Sequence, residues 1–145
     1  MSMITKKYNE TEMLNILSKF LIEPDECIEA PIYCMFKGTG FFRSGDFSAG
    51  YAAITNKNRF IGYQIGIINE APILISMDHL KKIKISNALF GQKSVCMEFK
   101  ADQTYKIKFQ FSPKVIGVKL PNQERNVEAM LEILREKQNM LNLEM

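Results

Sequence analysis

Tryptophan is missing from this sequence, and histidine occurs once, as His79. A lone histidine rules out a His-x-x-x-His metal pair. A catalytic role would need a nucleophile and an orienting group beside it. No Gly-x-Ser-x-Gly elbow or comparable set is present, so His79 reads as a surface or capping residue and no enzyme activity is expected. Cysteine is scarce and odd in number: Cys27, Cys34 and Cys96, with no Cys-x-x-Cys pair. That argues against a disulfide framework or a structural zinc site. No closely spaced acidic loop suits calcium, so neither a metal nor a cofactor is expected. Long apolar runs are also missing. No stretch approaches the roughly 20 residues of a membrane span. Met1 to Lys7 carries two lysines with no apolar run after it, so no secretory signal is expected. Free thiols suit a reducing cytosol. The expected location is the cytoplasm, with peripheral membrane contact left open.

What the chain does have is an ordinary globular composition. Of 145 residues, 46% are apolar and 24% charged, enough to bury one core without disulfides. One domain over 1–145 is expected. The net charge is only +3, but it is unevenly spread. Residues 81–119 hold nine lysines against Glu98 and Asp102, while 1–36 and 120–145 are acidic on balance. The basic middle fits either an anionic partner or the solvated face of a sheet.

Periodicity supplies the elements. Asn9 followed by Glu12 has the spacing of a capping box, and Met13, Ile16, Leu17, Phe20 and Leu21 make a helical apolar face. Pro24 is the predicted stop. From Cys27 to Phe36 the pattern alternates, which predicts a strand, with Pro31 at an edge or a bulge. A glycine-containing loop, 37–46, follows. Phe47–Thr55 and Arg59–Ile67 are predicted to form a hairpin around Asn56-Lys57-Asn58. Ile73–Met77 is a short strand. Lys81–Ser86, Ser94–Lys100 and Thr104–Phe111 alternate cleanly, one face apolar and one wet. Near Asn122 a second helix begins, with Val127, Met130, Leu131 and Leu134 as its buried stripe. The fold class is therefore mainly β with flanking helices: a helical appendage over 1–25, seven strands over 27–120 and a closing helix over 122–140.

This order resembles the pleckstrin-homology (PH) superfold. The segment Ala52-Ala53-Ile54-Thr55-Asn56-Lys57-Asn58-Arg59-Phe60-Ile61 is similar to the second hairpin of bacterial PH-like and GRAM-like domains. The later run Ile73 to Ile85, ending Lys-Ile-Lys-Ile, is similar to the next strand pair. The resemblance spans about residues 27–140. It implies a partly open barrel of seven antiparallel strands capped by a C-terminal helix, with the N-terminal helix as an addition. It also implies a non-catalytic binding module, most simply for a protein partner.

Two sets of side chains are candidates for contact. Lys37, Phe41, Phe42 and Arg43 belong to the first long loop. In phosphoinositide-binding PH domains that loop holds the headgroup, so Lys37 and Arg43 would bind an anionic lipid by charge-assisted hydrogen bonds. The strand after it, Phe47 to Tyr51, lacks the basic residues those domains carry there. Phe41 and Phe42 either enter an interface or pin the loop. Lys82, Lys84, Lys106 and Lys108 form the second set, a basic surface opposite inward-pointing Tyr105 and Phe109. Single-strand nucleic-acid binders place aromatics beside their cations, so nucleic acid is not expected. The apolar tail Met140–Met145 either extends the second helix or meets a second subunit.

Overall fold

The computed structural model describes residues 9–37, 48–65, 72–88, 91–115 and 119–143. Helix α1, Glu10–Ser18, starts as its sequence requires: the Asn9 side chain accepts the Glu12 N–H at 2.8 Å. It ends earlier than Pro24. Lys19 and Phe20 donate to Ile16 and Leu17 in tight closing bonds, and the Phe20 carbonyl accepts from Arg59 Nη2 at 2.7 Å. Local bonds thus close the helix well before the proline, and Arg59 holds the chain just beyond it.

Seven antiparallel strands follow: β1 (Ile28–Lys37), β2 (Ser48–Thr55), β3 (Arg59–Gln64), β4 (Ile73–Ser76), β5 (Leu80–Asn87), β6 (Lys93–Lys100) and β7 (Thr104–Phe111). They form one open sheet in the order β4-β3-β2-β1-β7-β6-β5. The edge strands β4 and β5 are consecutive in sequence, joined by a single 3-10 turn at Met77–His79. So short a link brings the two edges together at that end, and the sheet must curl around its own interior. Helix α2, Gln123–Leu143, runs three residues beyond the predicted end at 140.

Pro31 is not at an edge. β1 lies at the centre of the sheet, between β2 and β7. The alternative expectation, a bulge, is what occurs. The β1–β2 register shifts between Glu29 and Ile32, and Ala30 sits at φ 48°. The irregularity absorbs a residue that has no N–H to give to a ladder. On its other side β1 pairs with β7 only from Met35 to Lys37. Before that point the strands part, and Gln123 occupies the gap. Its Oε1 accepts the Tyr33 N–H at 3.0 Å, while Nε2 donates to the Tyr33 carbonyl at 3.0 Å and to Ser112 at 3.1 Å. A side-chain amide thus does the work of a missing strand residue at the base of α2. Asn122 holds the cap position, its carbonyl accepting from Asn126, but its side chain donates to Glu10 of α1.

The interior is where the alternation predicted. Ile32, Cys34, Phe36, Val95, Met97, Phe99, Ile107 and Phe109 point inward and are buried, and α2 closes over them with Val127, Met130, Leu131 and Leu134. Phe109 is central, with ring centroids 5.9 Å from Phe36, 5.7 Å from Phe60 and 5.6 Å from Phe111. α1 lies on the outside. Met13 and Leu17 pack on Tyr51, Ala53 and Ile61, so β2 is buried on both faces. This explains why Phe47–Thr55 shows no clean alternation.

Two substitutions test this packing. An added Cβ on Gly50 would lie 2.3 Å from the Tyr63 carbonyl oxygen and 2.7 Å from the Phe36 ring. Gly50→Ala is expected to cost about 3 kcal/mol. Gln123→Leu would strand the Tyr33 backbone groups and cost about 2 kcal/mol. Shifts of the urea midpoint measure both, and an unchanged midpoint would contradict the assigned contacts.

Candidate functional site

The half of the sheet that α1 leaves uncovered carries the charge. Because Ile83, Met97, Ile107 and Phe109 point inward, their neighbours point out. Register aligns these neighbours across strands. Lys37 of β1 stands opposite Lys108 of β7, Lys108 opposite Cys96 of β6, and Cys96 opposite Lys84 of β5. In the adjacent row Lys106, Glu98 and Lys82 are aligned. At about 4.8 Å per strand, the row from Lys37 to Lys84 is about 14 Å wide. Lys37, from the first predicted set, therefore shares one surface with the later lysines. Lys37, Lys82, Lys84 and Lys106 are exposed and Lys108 is half-buried. Glu98 is the one carboxylate in these rows among the described residues, and its contact with Lys82 is loose, at 4.0 Å. Phe41, Phe42 and Arg43 lie outside the described residues.

Beyond this face is a groove of about 560 Å³ between the β5 edge and the end of α2. Gln138 Nε2 donates to the Ile83 carbonyl at 3.0 Å and fixes α2 to the edge strand. The last turn of α2 then overhangs the edge, placing Leu141 and Asn142 across from Lys81, Lys82 and Lys106. Lys81, Gln138 and Leu141 were not foreseen as site residues. Lys81 belonged to the lysine-rich segment and Leu141 to the apolar tail, of which Met140 and Leu143 are exposed by 58% and 85%; Gln138 carried no signal.

The most perturbed acid belongs to the framework. Glu26 is buried between α1 and the β2–β3 hairpin. Arg59 grips it with two bonds, Nε to Oε2 at 2.8 Å and Nη2 to Oε1 at 2.9 Å. Thr55 Oγ1 and the Ile22 N–H donate to it as well, at 2.7 and 2.8 Å. The Arg59 bonds in particular hold the carboxylate down to about 2, against the opposing effect of burial. The rest of the hairpin is equally committed. Asn56 accepts from the Cys27 N–H at 2.7 Å and donates to the Asp25 carbonyl at 3.0 Å. Lys57 pairs with Asp25 at 2.8 Å. Asn58, at φ 60°, provides the left-handed residue of the three-residue turn and bonds Asp78 and Lys137. The Thr-Asn-Lys-Asn-Arg segment behind the family resemblance is thus a structural hub.

His79 is exposed at the end of the 3-10 turn. Burial pushes the Cys34 thiol well up, which suits a space-filling role. Among the described residues no group of three His, Cys, Asp or Glu side chains is placed to hold a metal ion, and no helix is long and apolar enough to cross a membrane. No protein-family model matches the chain, and comparison with curated proteins gives no significant match.

The Glu26 geometry predicts an acid sensitivity. Its folded-state value, about 2, lies below the ordinary 4.5. The stabilisation is complete above 4.5 and is lost as pH falls towards 2. Glu26→Gln should flatten the fall in unfolding free energy over that window. Arg59→Met should cost about 3 kcal/mol at neutral pH by leaving the carboxylate unpaired. An unchanged acid profile in Glu26→Gln would contradict the assignment.

Proposed function

We propose that the chain is a non-catalytic, PH-like binding module, and that its partner is a protein engaged through the basic outer face of β1, β7, β6 and β5. One observation carries the reading: α1 covers the outer face of one half of the sheet, while the other half is open and holds Lys37, Lys82, Lys84, Lys106 and Lys108 against Glu98. Lysines cost little when solvated and contribute strongly to encounter with an acidic surface. The inward direction of Phe99, Phe109 and Phe111 on β6 and β7 disfavours single-stranded nucleic acid, which stacks its bases on exposed rings.

A second reading rests on a separate observation. Lys37 stands at the end of β1 and is aligned with Lys108, so the basic rows continue to the last residue of that strand. That continuity suits a peripheral contact with anionic lipid headgroups.

Affinity capture from nuclease-treated lysate separates the readings, using wild type and the Lys82→Glu/Lys84→Glu/Lys106→Glu/Lys108→Glu variant as baits. The expected result is a protein retained by wild type at low salt, weakened at high salt, and lost with the variant. Equal recovery on both baits would overturn the face assignment. Co-sedimentation with anionic vesicles that disappears in Lys37→Glu/Lys108→Glu, with no protein retained, would favour the lipid reading instead.

A further inference from the structure

We propose that the groove between the β5 edge and the last turn of α2 seats an acidic, leucine-bearing peptide segment of the protein partner; this rests on the protein-binding reading above. The groove has two unlike banks. One is cationic: Lys81, Lys82, Lys84 and Lys106, with Glu98 set among them and paired loosely with Lys82, at 4.0 Å. The other is the overhanging helix end, where half-buried Leu141 faces the groove and Met140 and Leu143 are exposed nearby. A smaller cleft of about 180 Å³ lies beside it, sharing Lys81 and Leu141 and lined further by Met140 and Asp78. Two neighbouring shallow clefts on one edge suit an extended chain better than a compact small molecule.

Charge complementarity selects acidic side chains for one bank, and the apolar helix end selects an aliphatic side chain for the other. The occupant does not extend the sheet at Ile83, because Gln138 already takes the carbonyl there. Recognition is therefore by side chains: carboxylates on the lysines and an aliphatic group on Leu141. A bilayer would meet the flat lysine rows but could not enter the groove. Among the described residues no aromatic ring lines it to stack a base.

The probe is a fluorescein-labelled peptide of about twelve Asp and Glu residues interrupted by leucines, beside a control with serine in place of leucine. Anisotropy is read with the full chain at low salt. Wild type is expected to prefer the leucine peptide about tenfold, and Leu141→Ser to abolish that preference. Lys82→Glu/Lys106→Glu should weaken both peptides at least tenfold, and Glu98→Gln should strengthen both about twofold. Leu141 also packs on the core, so Asn142→Glu, on the exposed rim, provides a second variant and should weaken both peptides several-fold without moving the melting temperature. No preference for leucine, or a preference that survives Leu141→Ser and Asn142→Glu while the lysine reversal still weakens binding, would overturn the groove and leave the basic face standing. Binding to anionic vesicles with no binding of either peptide would overturn both.

Discussion

A covered carboxylate must keep its charge compensated, and in this chain Glu26 is compensated entirely by the β2–β3 hairpin and the exit of α1. Arg59 binds both of its oxygens and, with its remaining reach, the Phe20 carbonyl. Thr55 and the Ile22 N–H complete the shell. Removing one partner would leave a buried charge, which costs far more than an exposed pair could return. These bonds therefore fix where residues 20–28 run, and with them the entry into β1. From the same turn, Asn58 reaches the 3-10 corner and α2. One five-residue segment thus ties together the appended helix, both ends of the open sheet and the closing helix.

That arrangement determines which surfaces remain free. The sheet curls because β4 and β5 are joined by one short turn, and α2 fills the inside. The outside is divided. α1 is held against β2 and β3 by Met13 and Leu17 and removes that half from solvent. The half built from β5, β6 and β7 keeps its wet face, and its outward rows are lysine-rich. The basic surface lies on the half of the sheet that α1 leaves open, and its position follows from where the Glu26 hub anchors α1.

Much of this was legible in local pattern. Asn9 and Glu12 marked the start of α1. The strict alternation of Ser94–Lys100 and Thr104–Phe111 identified both the strands and their inner faces. Val127, Met130, Leu131 and Leu134 gave the buried side of α2. What escaped is long-range. Pro24 was assigned its usual local consequence, but α1 already ends at Ser18; at Pro31 the bulge was one of two expectations, and its place in the sheet centre was not legible. Gln123 reads as an ordinary first-turn residue until β1 and β7 are seen to part at Tyr33. The candidate surface shows the same limit. Alternation identified Lys82, Lys84, Lys106 and Lys108 as solvent-facing, yet only the pairing of β1 with β7 brings Lys37 beside Lys108. Only the bond from Gln138 to Ile83 creates the groove.

The central claim is that the lysine-rich face is the surface through which this chain meets its partner. Quantitative lysine-reactivity footprinting tests it most directly, by comparing the purified protein with the same protein in concentrated extract. The account predicts that Lys37, Lys82, Lys84, Lys106 and Lys108 become protected together while exposed Lys19 and Lys119 keep their reactivity. Protection confined to Lys19 and Lys119, or a uniform change at every lysine, would contradict it.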